Sequence, residues 1–171
     1  LRKAAFLDRD GTINVDRGYV HRPCEFIFME GAIEGLKLLR EAGFLIIVIT
    51  NQSGIGRGYF SEQEYLQFQN WIDNELDGYE VHIDGWYYCP HVEEDNCSCR
   101  KPKIGLFENA ANDFDIDWDT SFAVGDKLRD LTICEIKNMR GYWISSDTEI
   151  ELSHNIMRVS SLKEAVENFI S

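Results

Sequence analysis

The run Phe44-Leu45-Ile46-Ile47-Val48-Ile49 constrains this chain more than any other segment. It has no polar face, and most of its residues are β-branched. A strand of this kind must be covered on both sides, as in a parallel sheet flanked by helices. The residues before it, Ala32–Ala42, place Ile33, Leu36 and Leu39 at helical spacing, and Gly43 is a natural stop. The alternation repeats along the chain. Lys3–Leu7, Asp84–Tyr88, Ser121–Val124 and Gly141–Ile144 read as strands. The segments from Ser61 to about Leu76, Lys103–Phe114, Leu128–Met139 and the stretch after Ser161 read as helices. Ser61 with Glu64, and Ser161 with Glu164, have capping-box spacing. This order predicts an α/β fold: a central parallel sheet with helices on both faces.

With 171 residues and no linker, repeat or low-complexity tract, residues 1–171 are expected to form a single domain. Apolar residues at 44% and charged residues at 27% fit an ordinary globular protein. No segment has the length of a membrane span and no signal-peptide pattern is present, so a cytoplasmic location is expected. The start at Leu1 instead of Met reads as trimming or an imposed boundary, so targeting residues could have been lost. The net charge of −13 disfavours nucleic acid and anionic membranes as partners. A small molecule is the expected partner and a monomer the expected state. Any anionic substrate has to find local cations or a metal.

In a parallel sheet, ligands bind beyond the carboxyl ends of the strands. The first strand delivers Asp8 and Asp10 there, with Gly11 turning the backbone away; the second delivers Thr50, Asn51 and Gln52; a later one delivers Asp126 and Lys127. Two acids one residue apart allow one carboxylate to attack while the other moves protons. Asp8, Asp10 and Asp126 together offer hard oxygens suited to Mg²⁺. Thr50 offers a hydroxyl to phosphate oxygens, and Arg100, Lys101 and Lys127 offer cations to a transferring phosphoryl group.

Cys89, His91, Cys97 and Cys99 form a second cluster. Three thiolates and an imidazole suit tetrahedral Zn²⁺ with no position left open, so the site reads as structural, a zinc loop inserted near 89–99. A nucleic-acid zinc ribbon is disfavoured by Glu93, Glu94 and Asp95 at its tip. The metal would also fix Arg100-Lys101, which follow at once. Cys24 and Cys134 stand apart and read as small buried residues kept reduced. Gly54-x-Gly56-x-Gly58 lacks the spacing of a dinucleotide fingerprint and reads as a backbone bend.

Taken as a set, Asp8-Arg9-Asp10-Gly11-Thr12, Thr50, Lys101, and Gly125-Asp126 with Asp130 resemble the four motifs of the haloacid dehalogenase (HAD) superfamily of phosphotransferases. The resemblance spans nearly the whole chain. It implies a Rossmann-like HAD fold, here with no large cap domain, and an Mg²⁺-dependent phosphomonoester hydrolase. It also implies roles. Asp8 attacks phosphorus and forms an aspartyl-phosphate. Asp10 protonates the leaving group and then activates water. Thr50 and Lys101 bind the phosphoryl oxygens. Mg²⁺ is held by the Asp8 side chain, the Asp10 backbone carbonyl and Asp126, and Asp130 supports the loop around Asp126.

The zinc loop with Arg100-Lys101-Pro102 is shared by two families, the D-glycero-D-manno-heptose 1,7-bisphosphate 7-phosphatases and the histidinol-phosphatases. Asp16-Arg17-Gly18-Tyr19-Val20-His21-Arg22 and the stretch from Thr50 to Phe60 are more similar to the heptose family. That resemblance implies a sugar-phosphate substrate in nucleotide-activated heptose biosynthesis. It assigns substrate contacts to Asp16, Arg17, Gly18, Tyr19, Thr50, Asn51, Gln52, Ser53 and Lys127. Arg100 and Lys101 are assigned to substrate and charge stabilisation.

Overall fold

The computed structural model describes residues 1–171. Six strands form one sheet in the order β3-β2-β1-β4-β5-β6. They are β1 (Ala4–Leu7), β2 (Leu45–Asn51), β3 (Gly85–Cys89), β4 (Phe122–Gly125), β5 (Arg140–Ile144) and β6 (Ile156–Val159). Every pairing is parallel. The helices are α1 (Ala32–Glu41), α2 (Glu62–Asp77), α3 (Gly105–Asp113), α4 (Thr132–Ile136) and α5 (Leu162–Ile170).

Both faces of the sheet are covered, as the unbroken apolar strand requires. Alternate residues of the central strands enter opposite cores. Ala5, Leu7, Ile46, Val48 and Val124 pack with residues of α1, α2 and α5. Ala4, Phe6, Leu45, Ile47, Ile49 and Ala123 pack with residues of α3 and α4. This is the period-two geometry of a strand feeding two layers at once. No helix is long and apolar enough to cross a membrane.

The helix signals have physical counterparts. Ser61 Oγ accepts from Glu64 N at 3.0 Å, and Glu64 Oε1 accepts from Ser61 N at 3.0 Å. At α5, Ser161 Oγ accepts from Glu164 N at 3.1 Å, but the Glu164 carboxylate takes the N–H of Ser160 rather than Ser161.

Two expectations need correction. The helix expected over Leu128–Met139 is split into a 3₁₀ turn, Leu128–Leu131, and the short α4. The turn tightens because the Asp130 carboxylate caps the backbone N–H of Lys127 at 3.0 Å while also reaching Lys101. At the far end Asn138 takes a left-handed φ of 52°, and Met139 N donates back to Cys134 O at 2.9 Å. The sixth strand was not expected at all. It lies at the sheet edge and carries exposed Met157 between half-buried neighbours, so its sequence has no continuous apolar run.

Candidate active site

β1 lies between β2 and β4, so the chain leaves the sheet in opposite directions on its two sides. That reversal opens a crevice at the carboxyl ends of these strands. Asp8 and Asp10 follow β1, Asn51 ends β2 with Gln52 beside it, and Asp126 follows β4. A cavity of about 340 Å³ opens over them. Its lining includes Asp8, Asp10, Asp126 and Asp130 with Lys101 and Lys127.

Lys101 is buried at 3% exposure. Its Nζ lies 3.0 Å from Asp8 Oδ1 and 2.8 Å from Asp130 Oδ1, and donates to Ile49 O at 2.5 Å. All three ammonium donors are therefore matched. Burial opposes the Lys101 charge, but Asp130 and Asp8 outweigh it and raise its pKa, so the side chain stays a cation. Burial, followed by the Asp130 charge, pushes the Asp8 carboxyl well above the usual range, with Lys101 pulling the other way. Burial and then Asp130 likewise raise Asp126, against the pull of Lys127 at 3.3 Å.

These carboxylates lack enough positive charge, which is an argument for a cation. Oxygens of Asp8, Asp126 and Asp130 lie within 4.8 Å of one another. Asp130 already accepts from Lys101 and from Lys127 N, which leaves Asp8 and Asp126 as the freer hard donors. The set fits Mg²⁺. Gly11 permits the crowding: its φ is +85°, and a Cβ there would sit 2.1 Å from Asp126 Oδ2.

The Asp10 side chain is held apart from this group. Its Oδ1 accepts from Arg9 at 2.9 Å and Asn14 at 3.0 Å, and its Oδ2 accepts from Gln52 at 3.0 Å. Gln52 also donates to Thr50 Oγ1 at 2.9 Å. Thr50, expected to meet the phosphoryl oxygens, is instead fully buried and absent from the cavity lining, and its hydroxyl oxygen accepts from Gln52. The orienting roles of Arg9 and Asn14 had no sequence signal beyond proximity to the motif. Arg9 is 1% exposed; besides Asp10 it donates to Val20 O at 2.7 Å, and its guanidinium lies 5.3 Å from the Phe68 ring centroid.

The expected substrate loops are partly assembled. Asp16, Gly18, Tyr19, Asn51, Gln52, Ser53, Arg100 and Lys127 line the cavity. Arg17 does not. The Asp16 carboxylate accepts from Gly18 N at 3.0 Å, and this tight turn sends the exposed Arg17 toward Glu25 O at 3.4 Å. Arg57 and Arg129 line the cavity without having been expected there. Only the return of the Gly54–Gly58 bend and the 3₁₀ turn before α4 bring them in.

The second cluster is compact. Cys89 Sγ lies 3.4 Å from His91 Nδ1, 3.6 Å from Cys97 Sγ and 3.0 Å from Cys99 Sγ, and His91 Nδ1 is 3.3 Å from Cys99 Sγ. No disulfide forms among them; of the two lone cysteines, Cys134 is buried as expected, but Cys24 is exposed on the 3₁₀ turn Pro23–Glu25. Ligands at ~2.3 Å from a tetrahedral zinc stand roughly 3.8 Å apart, so the four donors fit Zn²⁺. The cluster abuts the active site directly: Arg100 N donates to Cys97 Sγ at 3.4 Å.

Comparison with known proteins agrees with this geometry. A family model described as Polynucleotide kinase 3 phosphatase matches residues 3–165. The chain is 50% identical to the D-glycero-beta-D-manno-heptose-1,7-bisphosphate 7-phosphatase of Haemophilus ducreyi, over 81% of this chain and 80% of that protein. It is 41% identical to the protein of the same name from Pasteurella multocida, over the full length of both. Among solved structures, the D,D-heptose 1,7-bisphosphate phosphatase of B. bronchiseptica, in complex with magnesium and phosphate, superposes with a TM-score of 0.89 at 28% identity, covering 98% of each chain. The chain belongs to the D-glycero-beta-D-manno-heptose-1,7-bisphosphate 7-phosphatase family of HAD-like phosphatases, within the wider group that the Polynucleotide kinase 3 phosphatase model describes.

Proposed function

We propose that this protein removes the 7-phosphate of D-glycero-D-manno-heptose 1,7-bisphosphate, a step in nucleotide-activated heptose biosynthesis. The observation that carries the reading is the contact between Asp8 and the buried Lys101 at a crevice shared with Asp126, in a chain of this family.

In this reading Asp8 attacks the phosphorus, the P–O bond to the sugar breaks, and the sugar leaves as its alkoxide, which gives an aspartyl-phosphate. Asp10 gives its proton to the leaving oxygen and then takes a proton from the water that hydrolyses the intermediate. Arg9, Asn14 and Gln52 hold Asp10 in the orientation this shuttle needs. Lys101 meets the phosphoryl oxygens, and Asp130 and the Ile49 carbonyl keep its ammonium fixed. Thr50 supports this wall of the site and Gln52 fixes its hydroxyl. Asp8, Asp126 and the Asp10 carbonyl would hold Mg²⁺, which would lower the repulsion between carboxylate and phosphate. Asp16, Gly18, Tyr19, Asn51, Gln52, Ser53, Arg100 and Lys127 shape the substrate pocket. Cys89, His91, Cys97 and Cys99 would hold Zn²⁺, which would keep Arg100 and Lys101 in place. Residues 1–171 act as one domain, working as a cytoplasmic monomer.

A phosphorylated polynucleotide end is a second substrate class, favoured by the description of the matching family model. The net charge of −13 opposes it. A panel of heptose bisphosphate, histidinol phosphate and a 3′-phosphorylated oligonucleotide tests the choice through phosphate release. Highest kcat/KM on the heptose substrate is expected. Faster turnover on either of the others overturns the reading.

A further inference from the structure

The proposed substrate carries two phosphates, and only one of them reaches Asp8. The other has no metal and must be met by side-chain cations, in a cavity whose lining also includes five Asp carboxylates. Of the cations lining that cavity, Lys101 and Lys127 are already ion-paired with Asp8, Asp130 and Asp126. Arg57, Arg100 and Arg129 face no carboxylate at ion-pair distance. Arg57 lines only this first cavity, its guanidinium 6.0 Å from the Tyr19 ring centroid and its Nε donating to Ser53 Oγ at 3.4 Å. Arg100 reaches the His91 carbonyl only at 3.5 Å. Arg129 is exposed, with its guanidinium uncommitted.

Arg129 and Arg100 also share a second cavity of about 460 Å³, adjoining the first and lined by Lys103, where Glu93 is the single acid. The ridge between the two cavities is therefore cationic on a strongly acidic molecule. The backbone under Arg129 is fixed. Its neighbour Asp130 is buried and tied to Lys101 at 2.8 Å and to Lys127 N at 3.0 Å.

We propose that Arg129, together with Arg100, binds the second, non-reacting phosphate of the substrate on the ridge between the two cavities, and so sets the preference for a bisphosphate. The inference rests on the heptose-bisphosphate reading. A planar guanidinium meets a phosphate through two parallel hydrogen bonds, and such charge-assisted contacts are the strong ones.

The test compares the KM for heptose 1,7-bisphosphate with that for heptose 7-phosphate, for the wild-type enzyme and for Arg129→Ala, Arg129→Glu and Arg129→Lys. A ratio within each variant cancels any loss of folded protein. Losing one charge-assisted contact is worth on the order of a tenfold change. The bisphosphate KM is therefore expected to rise about tenfold relative to the monophosphate in Arg129→Ala, and further in Arg129→Glu, with bisphosphate kcat moving far less and Arg129→Lys recovering part of the loss. An unchanged KM ratio in Arg129→Glu overturns the inference and leaves the substrate reading standing. A wild-type enzyme that does not favour the bisphosphate overturns the substrate reading, and the inference with it, before any variant is made.

Discussion

Asn51 holds the backbone of Lys101 from both sides: its Oδ1 accepts from Lys101 N at 3.0 Å, and its Nδ2 donates to Lys101 O at 3.2 Å. The end of β2 thereby fixes a residue supplied by the zinc loop. Asn51 was expected to touch substrate; it does line the cavity, but both polar groups of its side chain serve Lys101. Asn51→Ala removes both bonds. A typical hydrogen bond contributes ~1 kcal/mol, so roughly 1–2 kcal/mol of stability should be lost. A misplaced Lys101 should lower kcat by about 10–100-fold, by analogy with loss of a preorganised charge-stabilising donor. Steady-state kinetics and thermal melting check both effects. Wild-type kcat in Asn51→Ala means that the clamp has no part in catalysis.

Gly11 makes a second test of positioning. A methyl group there meets Asp126 Oδ2 at 2.1 Å, in a backbone conformation with φ +85°. The left-handed conformation alone costs an L-residue ~1–2 kcal/mol. The close approach then forces Asp126 away from Asp8. Gly11→Ala should weaken Mg²⁺ binding and reduce turnover together. Mg²⁺ titration by calorimetry is the direct measurement; unchanged affinity contradicts the proposed metal position.

What could be read from the sequence follows from which interactions are local. The strand Phe44–Ile49 and the Ser61–Glu64 cap are encoded by neighbours in the chain, and both appear in the fold, with β2 running on to Asn51. Asp8 and Asp126 also lie where motif order placed them, because each directly follows a strand. Side-chain traffic across the site was not legible. Gln52 turns inward to Asp10 and Thr50, and Asn51 turns toward Lys101, because β2 brings them beside partners far away in sequence. Arg17 is turned outward by a local bond between Asp16 and Gly18 that composition does not reveal. Arg129 enters the cavity only because Asp130 winds its turn into a 3₁₀ helix.

The raised pKa values of Asp8 and Asp126 predict how pH and metal interact. A carboxyl whose pKa is raised on folding binds more protons in the native state than in the unfolded chain. Its contribution to stability is present at low pH and is lost as pH rises through the raised value. Mg²⁺ takes the place of those protons. The metal should therefore stabilise the protein more as pH rises, and its affinity should fall as pH drops and protons compete for Asp8 and Asp126. Melting temperatures with and without Mg²⁺, measured between about pH 5 and pH 8, follow the linkage. A magnesium-induced shift of equal size at every pH contradicts it, as does an Asp8→Asn variant that responds to Mg²⁺ in the same way as wild type.

The zinc loop links metal content to catalysis through its contacts with Arg100. Arg100 N donates to Cys97 Sγ, and Arg100 and Lys101 are the next cations in the chain. Partial burial works against the Cys97 thiolate, but the N–H of Arg100 and further hydrogen bonds bring its pKa down to about 6. Burial pushes the neighbouring Cys89 and Cys99 thiols up, so Cys97 is the member of the cluster whose thiolate is favoured. Cys97→Ser weakens both the zinc set and this tether. Zinc content should fall from about one per chain, since a closed structural site uses four ligands. Turnover should fall with it, although Cys97 lies outside the active-site cavity lining. Wild-type enzyme stripped by a chelator should show the same loss, and added Zn²⁺ should restore the wild type but not the variant. Metal analysis alongside kinetics separates the alternatives: full activity in zinc-free protein means that the loop holds Arg100 and Lys101 without metal.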